Sequence, residues 1–212
     1  MEGIELRNEI IDTGIKLIRS GLTHGTCGNI SCRIPDRDEI LITPSGIPYE
    51  KIKPSNILKV NFDGRVEGRK SPSVETPLHL SIYKKRDDVG AIIHTHSTYA
   101  LAVSAVATSI PIFLDEIFSH IGGELTVAKY ALPGSEKLAQ NVVDSLKHKN
   151  AVLLSNHGAV CCGKNLEIAF EAVEAVEKIC KIFILSSALG KIKTLPEKGR
   201  EYQMEMFEMK KK

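Results

Sequence analysis

The stretch that most constrains how this chain can fold is Ala91-Ile92-Ile93-His94-Thr95-His96-Ser97. An apolar run with β-branched residues predicts a strand, whose side chains alternate between the two faces of a sheet. His94 and His96 then point the same way. Two imidazoles one pleat apart can bind a single ion, at about 2.0–2.1 Å each if it is zinc. A half-buried strand whose histidines find ordinary hydrogen-bond partners satisfies the same pattern, so the rest of the chain has to decide.

At 212 residues, the chain has the size of a single compact α/β domain over 1–212. Its net charge of +2 is close to balance, which gives no footprint for nucleic acid or a strongly charged partner. The absence of an apolar run near 18 residues, or of a basic-then-apolar leader, predicts neither membrane span nor signal peptide. Five cysteines without C-x-x-C spacing suit a reducing interior, so the expected location is the cytoplasm.

From the N-terminus, Glu5 to Ser20 reads as an amphipathic helix with Leu6, Ile10, Leu17 and Ile18 on one stripe and Gly21 placed to stop it. The small-residue stretch Thr23 to Ser31 leads into a strand. A hairpin follows, turning at Pro35-Asp36-Arg37-Asp38 and returning along Ile40-Leu41-Ile42 into a second small loop, Thr43-Pro44-Ser45-Gly46. Ile57 to Phe62, Asp63-Gly64 and Arg65 to Gly68 form another hairpin signature. Ser71 to Pro77 then opens a helix through Leu78, Ile82 and Tyr83, with Ser73 or Thr76 as its cap. Three loops thus offer backbone donors and hydroxyls, the makings of a phosphate cradle.

Glu75 admits two readings. A carboxylate at a helix N-terminus complements the helix dipole, worth about 0.3–1 kcal/mol. Beside a metal site it would instead be a ligand, a base, or both in turn. His79, one turn on, reads as packing or support. After His96, Ser97 is expected to cap a helix through Ala107, Ile110 to Phe113 reads as an edge strand, and Leu114 to Gly123, with Asp115, Glu116 and His120, as loop. Ser135 caps a further helix. The buried strand Ala151 to Leu154 delivers Asn156-His157-Gly158, a third imidazole at a strand end. Leu166 to Leu189 is a long helix ended by Gly190. Cys161 and Cys162 read as core hydrophobes on opposite faces, and the tail from about residue 191 as a docking or flexible segment. Interleaved strands and helices with several hairpin turns argue for a layered α/β domain around a mixed, substantially antiparallel sheet.

In order along the chain stand Gly25-Thr26-x-Gly28-Asn29-x-Ser31, Leu41-Ile42-Thr43-Pro44-Ser45-Gly46, Pro72-Ser73-x-Glu75, His94-x-His96 and Asn156-His157-Gly158. This ordered set resembles the class II sugar-phosphate aldolase and epimerase family, from the first helix to about Gly190. The resemblance implies a three-layer α/β/α fold and a homotetramer with zinc sites near subunit interfaces. It implies one Zn2+ per chain on His94, His96 and His157, with Glu75 completing the resting coordination and serving as acid/base. It also implies a phosphate site at Gly28, Asn29, Ser45, Gly46, Ser73 and Val74. Related aldolases carry a second serine where this chain has Val74, and a tyrosine where it has Asp115; Tyr202 is a substitute candidate for that distal acid.

The residue types suit the implied chemistry. Cleaving the bond beside a ketose carbonyl leaves an enediolate, whose charge a Lewis acid with open positions can stabilise. The expected reaction splits a ketose 1-phosphate into dihydroxyacetone phosphate and a small aldehyde such as lactaldehyde. A ribulose-phosphate 4-epimerase type would break and remake the same bond, but such enzymes tend to carry aspartate at the position of Glu75. A sugar-phosphate dehydratase and a non-catalytic binding module of the same fold complete the alternatives. The last can lack the metal histidines, all three of which are present here.

Overall fold

The computed structural model describes residues 3–68 and 70–211. Nine strands form one sheet: β1 (Asn29–Arg33), β2 (Glu39–Ile42), β3 (Leu58–Asn61), β4 (Val66–Glu67), β5 (Ala91–Thr95), β6 (Ser109–Ile110), β7 (Leu125–Ala128), β8 (Ala151–Leu154) and β9 (Gly158–Gly163). Their spatial order is β4-β3-β2-β1-β5-β9-β8-β7-β6. Only β7 and β8 run parallel; every other neighbouring pair is antiparallel. β5 is the middle strand, and all five of its residues are buried. That explains its unbroken apolar run, because a strand covered on both faces has no solvent side to mark with polar residues.

The helices are α1 (Ile4–Arg19), α2 (Thr76–Lys85), α3 (Thr98–Ser104), α4 (Glu136–Leu146), α5 (Leu166–Leu189) and α6 (Glu197–Lys211). Strand alternation sorts the interior into two cores. Ile10 and Leu17 of α1, Ala100 and Val103 of α3, and the apolar face of α5 pack with Ile30, Ile93, Leu153 and Cys161. On the other side, Leu78, Ile82 and Tyr83 of α2 and Leu138, Val142 and Leu146 of α4 pack with Ile42, Ile92, Val152 and Cys162. Consecutive residues such as Ile92 and Ile93, or Cys161 and Cys162, therefore enter opposite cores. The result is the three-layer α/β/α architecture with a mixed, mostly antiparallel sheet.

Local signals were well placed in most elements. Gly21, at φ 68°, follows α1, with its N–H on the Ile18 carbonyl and the Leu22 N–H on the Leu17 carbonyl, so the helix closes in a Schellman arrangement. Ser135 Oγ accepts from the Leu138 N–H, and α5 ends at Gly190 as expected. The five cysteines are free thiols. No helix among the described residues is long and apolar enough to cross a membrane.

Three readings change. The segment 114–123 is not simply loop: Ile117–Ile121 makes a π-helical turn with Ile117, Phe118 and Ile121 buried. The surrounding Asp115, Glu116 and His120 obscure that short apolar face. β7 has no distinct sequence signal, since four residues between a glycine pair and a loop are too few to show a period. Ser97 stands before α3, which ends at Ser104 rather than Ala107, and its hydroxyl makes no cap bond. The cap comes from α5 instead: the Glu177 carboxylate accepts from the Tyr99 N–H at 3.0 and 3.1 Å and from the Ala100 N–H at 3.0 Å. A carboxylate satisfies orphan donors and complements the helix dipole better than a hydroxyl. The tail docks as α6, with Phe207 buried against Gly122.

Because Glu177 alone ties α3 to α5 in this way, Glu177→Ala should cost about 1–2 kcal/mol, the usual range for a lost cap. Urea unfolding monitored by far-UV circular dichroism checks it; an unchanged midpoint would show that Ser97 takes over the cap.

Candidate metal centre

Three chain segments converge at one end of the central strands. His94 shares its sheet face with Ile92, so it points toward α2. His96 follows two residues later, just beyond the strand. His157 comes from the tight connection between β8 and β9, where Asn156 takes φ 56° and the His157 N–H bonds the Leu154 carbonyl at 3.0 Å. Gly158 makes that approach possible: at φ 144°, any Cβ would sit 2.2 Å from the Thr95 carbonyl oxygen. Gly28 does the same from the other side, at φ 74° with a Cβ position 2.4 Å from the His94 carbonyl oxygen.

The three rings meet edge to face, with centroids 4.8, 4.9 and 5.1 Å apart. Their ligating nitrogens all lie within 4.8 Å of one another, so His94, His96 and His157 could hold a metal ion. The hydrogen bonding around His94 tests the fit. Its Nδ1 lies 2.9 Å from the Ala159 carbonyl oxygen, which only accepts, so Nδ1 carries the proton. Nε2 is then the ring nitrogen left to face the cluster, fixed in direction by that second contact. It faces Glu75 Oε2 at 2.9 Å and His96 Nε2 at 2.9 Å. Groups this close need a positive charge among them, a proton or a metal ion. Glu75 Oε1 is buried without a hydrogen bond, 3.4 Å from His157 Nε2. Imidazole nitrogens around a carboxylate are a donor set suited to a divalent metal of zinc's type.

Burial lowers the His96 pKa to about 4, reinforced by His94 and His157. Burial likewise lowers that of His157. Both rings are thus neutral and ligand-competent at neutral pH. Burial by itself would raise the Glu75 carboxyl, but His94, His157 and the Asn29 amide outweigh it and hold the group below the usual carboxylate range.

Glu75 occupies the N-cap position of α2, yet its side chain makes no cap hydrogen bond. The carboxylate turns away from the helix N–H groups toward the imidazoles, so it is not the side-chain cap of α2. Neither expected cap forms either. Ser73 Oγ accepts from the Glu75 N–H at 3.3 Å, while the Thr76 hydroxyl donates to the Ser73 carbonyl at 2.6 Å. Asn29, directly opposite His94 in the β1–β5 register, donates from Nδ2 to Glu75 Oε2 at 3.2 Å.

The two hydroxyl-bearing loops are zipped together by backbone bonds, Ser45 N–H to the Ser71 carbonyl at 3.0 Å and Ser73 N–H to the Thr43 carbonyl at 3.2 Å. Ser45, Gly46 and Val74 are exposed on this rim and Ser73 is half-buried. The Asn29 side chain, by contrast, is turned inward. Asp115 and Tyr202 lie elsewhere: Asp115 Oδ1 accepts from Gln203 Nε2 at 3.3 Å where α6 meets the π-helical turn, and Tyr202 is exposed on α6. A cavity of about 280 Å³ near Arg86, His120, Lys164 and Phe207 opens at the opposite end of β5 and gathers no comparable cluster.

Sequence reading missed how Asn29, His79, Ser31 and Tyr83 join behind Glu75. The signal was present as spacing, with 75, 79 and 83 on one helical face and 29 and 31 on one strand face. His96→Ala should remove a ligand from the half-open side of the cluster, and zinc retained after dialysis should fall below about one-tenth of an equivalent per chain. Full retention, measured by atomic emission, would displace His96 from the ligand set.

Comparison with known proteins agrees with this geometry. Residues 8–184 match the family described as Class II Aldolase and Adducin N-terminal domain. The chain is 38% identical over 189 residues to L-fuculose phosphate aldolase of Escherichia coli K12, covering 89% of this chain and 87% of that protein. It is 36% identical over 203 residues to 5-deoxy-D-ribulose 1-phosphate aldolase of Bacillus thuringiensis serovar kurstaki, covering 95% of each. A solved structure of L-fuculose 1-phosphate aldolase superposes with a TM-score of 0.94 at 38% identity, over 98% of both chains. The chain belongs to the class II aldolase and adducin N-terminal domain family.

Proposed function

We propose that this chain is a zinc-dependent class II aldolase that cleaves a ketose 1-phosphate to dihydroxyacetone phosphate and a small aldehyde. The observation that carries the reading is Glu75, a buried carboxylate at a helix N-terminus that leaves the helix donors unused and faces three imidazoles. Relatives named as aldolases over nearly the full chain support the lyase class. Their names support a ketose 1-phosphate of the L-fuculose or 5-deoxyribulose kind as substrate.

His94, His96 and His157 would hold one Zn2+, and Glu75 would complete the resting set. When bound, the ion supplies Lewis-acid polarisation of the ketose carbonyl and stabilises the negative charge left by cleavage. The chain's own residues do the rest. The exposed Ser45 hydroxyl, the Gly46 and Val74 N–H groups and the Ser73 hydroxyl bind the phosphate and set the register of the sugar, with Gly28 and Asn29 closing the inner side. As the C3–C4 bond breaks, the 4-hydroxyl passes its proton to the acid/base group on the aldehyde side, the aldehyde leaves and the electron pair remains on the three-carbon fragment. Glu75 returns a proton to C3 of that fragment, and in the reverse direction removes it.

Asp115 and Tyr202 are candidates for the acid on the aldehyde side. Their position away from their own chain's histidines supports delivery to a neighbouring subunit's site in a homotetramer. The five free thiols suit a reducing, cytoplasmic setting.

Three measurements test the reading. Glu75→Gln keeps the shape but cannot exchange protons, so exchange of the dihydroxyacetone phosphate C3 proton should fall about 10²–10⁴-fold with zinc near one equivalent. Normal exchange would remove Glu75 from the chemistry, and lost zinc would make it chiefly a ligand. Ser45→Ala should raise KM for the phosphorylated ketose about tenfold with kcat nearly unchanged, because a donor to a charged oxygen is lost. Product analysis on L-fuculose 1-phosphate, 5-deoxyribulose 1-phosphate and ribulose 5-phosphate separates cleavage from epimerisation.

A further inference from the structure

Behind the carboxylate runs a buried polar chain that the reaction as described does not use. Tyr83 O–H donates to the Ser31 carbonyl at 3.1 Å, with Ser31 Oγ 2.9 Å from the same phenol. Ser31 Oγ lies 2.6 Å from His79 Nδ1, and His79 Nε2 lies 2.5 Å from Asn29 Oδ1. Asn29 Nδ2 then reaches Glu75 Oε2. Ser31, His79 and Tyr83 are fully buried and Asn29 is 5% exposed.

We infer that His79 is a positioning residue: it fixes the Asn29 amide so that Glu75 is gripped at Oε2 and works through Oε1, which faces His157 and carries no hydrogen bond. The inference rests on the aldolase reading of Glu75. The polarity of the chain follows from its outer end. A carboxylate only accepts, so Asn29 presents Nδ2 to it and turns Oδ1 inward. Oδ1 also only accepts, so His79 meets it with Nε2–H. In a fully buried neutral imidazole, Nδ1 is then the acceptor, and the Ser31 hydroxyl fills it. Each group has one orientation, and the amide cannot flip without leaving two buried acceptors face to face at Glu75 and a donor pair facing at His79. The two carboxylate oxygens are thereby made unequal. Oε2 is held by Asn29 beside His94, while Oε1, without a hydrogen bond, is free to take and return a proton.

Two arms test this. In protein labelled with 15N at histidine, both metal-free and zinc-loaded, His79 should show the Nε2–H tautomer with a slowly exchanging ring proton. An Nδ1–H tautomer or an imidazolium at pH 7.5 would overturn the inference. In steady-state assays His79→Phe should lower kcat about 10–100-fold with KM within about twofold, the usual effect of removing support from a ligand. His79→Gln, which keeps a donor where Nε2–H stood, should recover kcat to within about threefold. Wild-type kcat in His79→Phe, or a loss in His79→Gln as large as in His79→Phe, would reduce His79 to packing. Should the wild-type protein cleave none of the ketose phosphates, the aldolase reading fails, and the tautomer measurement still decides the polarity of the chain.

Discussion

The structure depends on one buried negative charge. A carboxylate removed from water is costly unless it is paired and hydrogen-bonded, and Glu75 is 5% exposed. Its compensation comes from every side at once: imidazoles on β5 and the β8–β9 turn, and an amide on β1. None of these residues is near Glu75 in sequence except through the fold. The same arrangement that makes the charge tolerable in a protein interior is the arrangement a divalent metal and a general base require. Stability and chemistry are therefore coupled here, because weakening any partner leaves Glu75 under-compensated as well as misplaced.

The central strand makes the coupling possible. Lying between β1 and β9, β5 has a hydrogen-bonded neighbour on each edge and a helical layer on each face. His94 consequently has its backbone, its Nδ1 and its Nε2 directions all constrained, the last two by Ala159 and Glu75. Close backbone approaches at Gly28 and Gly158 bring the neighbouring loops onto the strand end, where a side chain at either position would hold them off. The helix that follows is anchored to α5 by Glu177, so His96 lies between a buried strand and a capped helix. Ligands held by rigid elements keep their geometry better than ligands on free loops.

Around this rigid core the rim is open. Ser45, Gly46 and Val74 are exposed, and the loops that carry them are joined by only a short antiparallel bridge at Pro44 and Pro72. A valine at position 74 offers a backbone N–H but no hydroxyl. Asp115 and Tyr202 sit on a different part of the chain, where α6 meets the π-helical turn, away from the histidines.

Much of this was legible in the residues themselves. Strand alternation in 91–97 put His94 and His96 on one face, helix periodicity delimited 166–189, and glycines marked the ends at 21 and 190. These signals are local: they follow from the 2.0 and 3.6 residue periods and from the backbone freedom of glycine, which act within a few residues. The three imidazoles could be nominated in the same way, each ending or following an apolar run. What the sequence could not decide was which partner each polar group would take. Ser97 looked like the cap of α3, yet Glu177 caps it, and Glu75 could be read either as a helix-terminal charge or as a partner of the histidines, which it faces. His79 read as packing or support without a partner, and it joins a chain of donors and acceptors from Tyr83 to Glu75. Those choices compare partners about 20 to 80 residues apart, and a buried donor or acceptor settles on whichever complementary group the packed core brings within about 3 Å. That distance exists only in the tertiary structure.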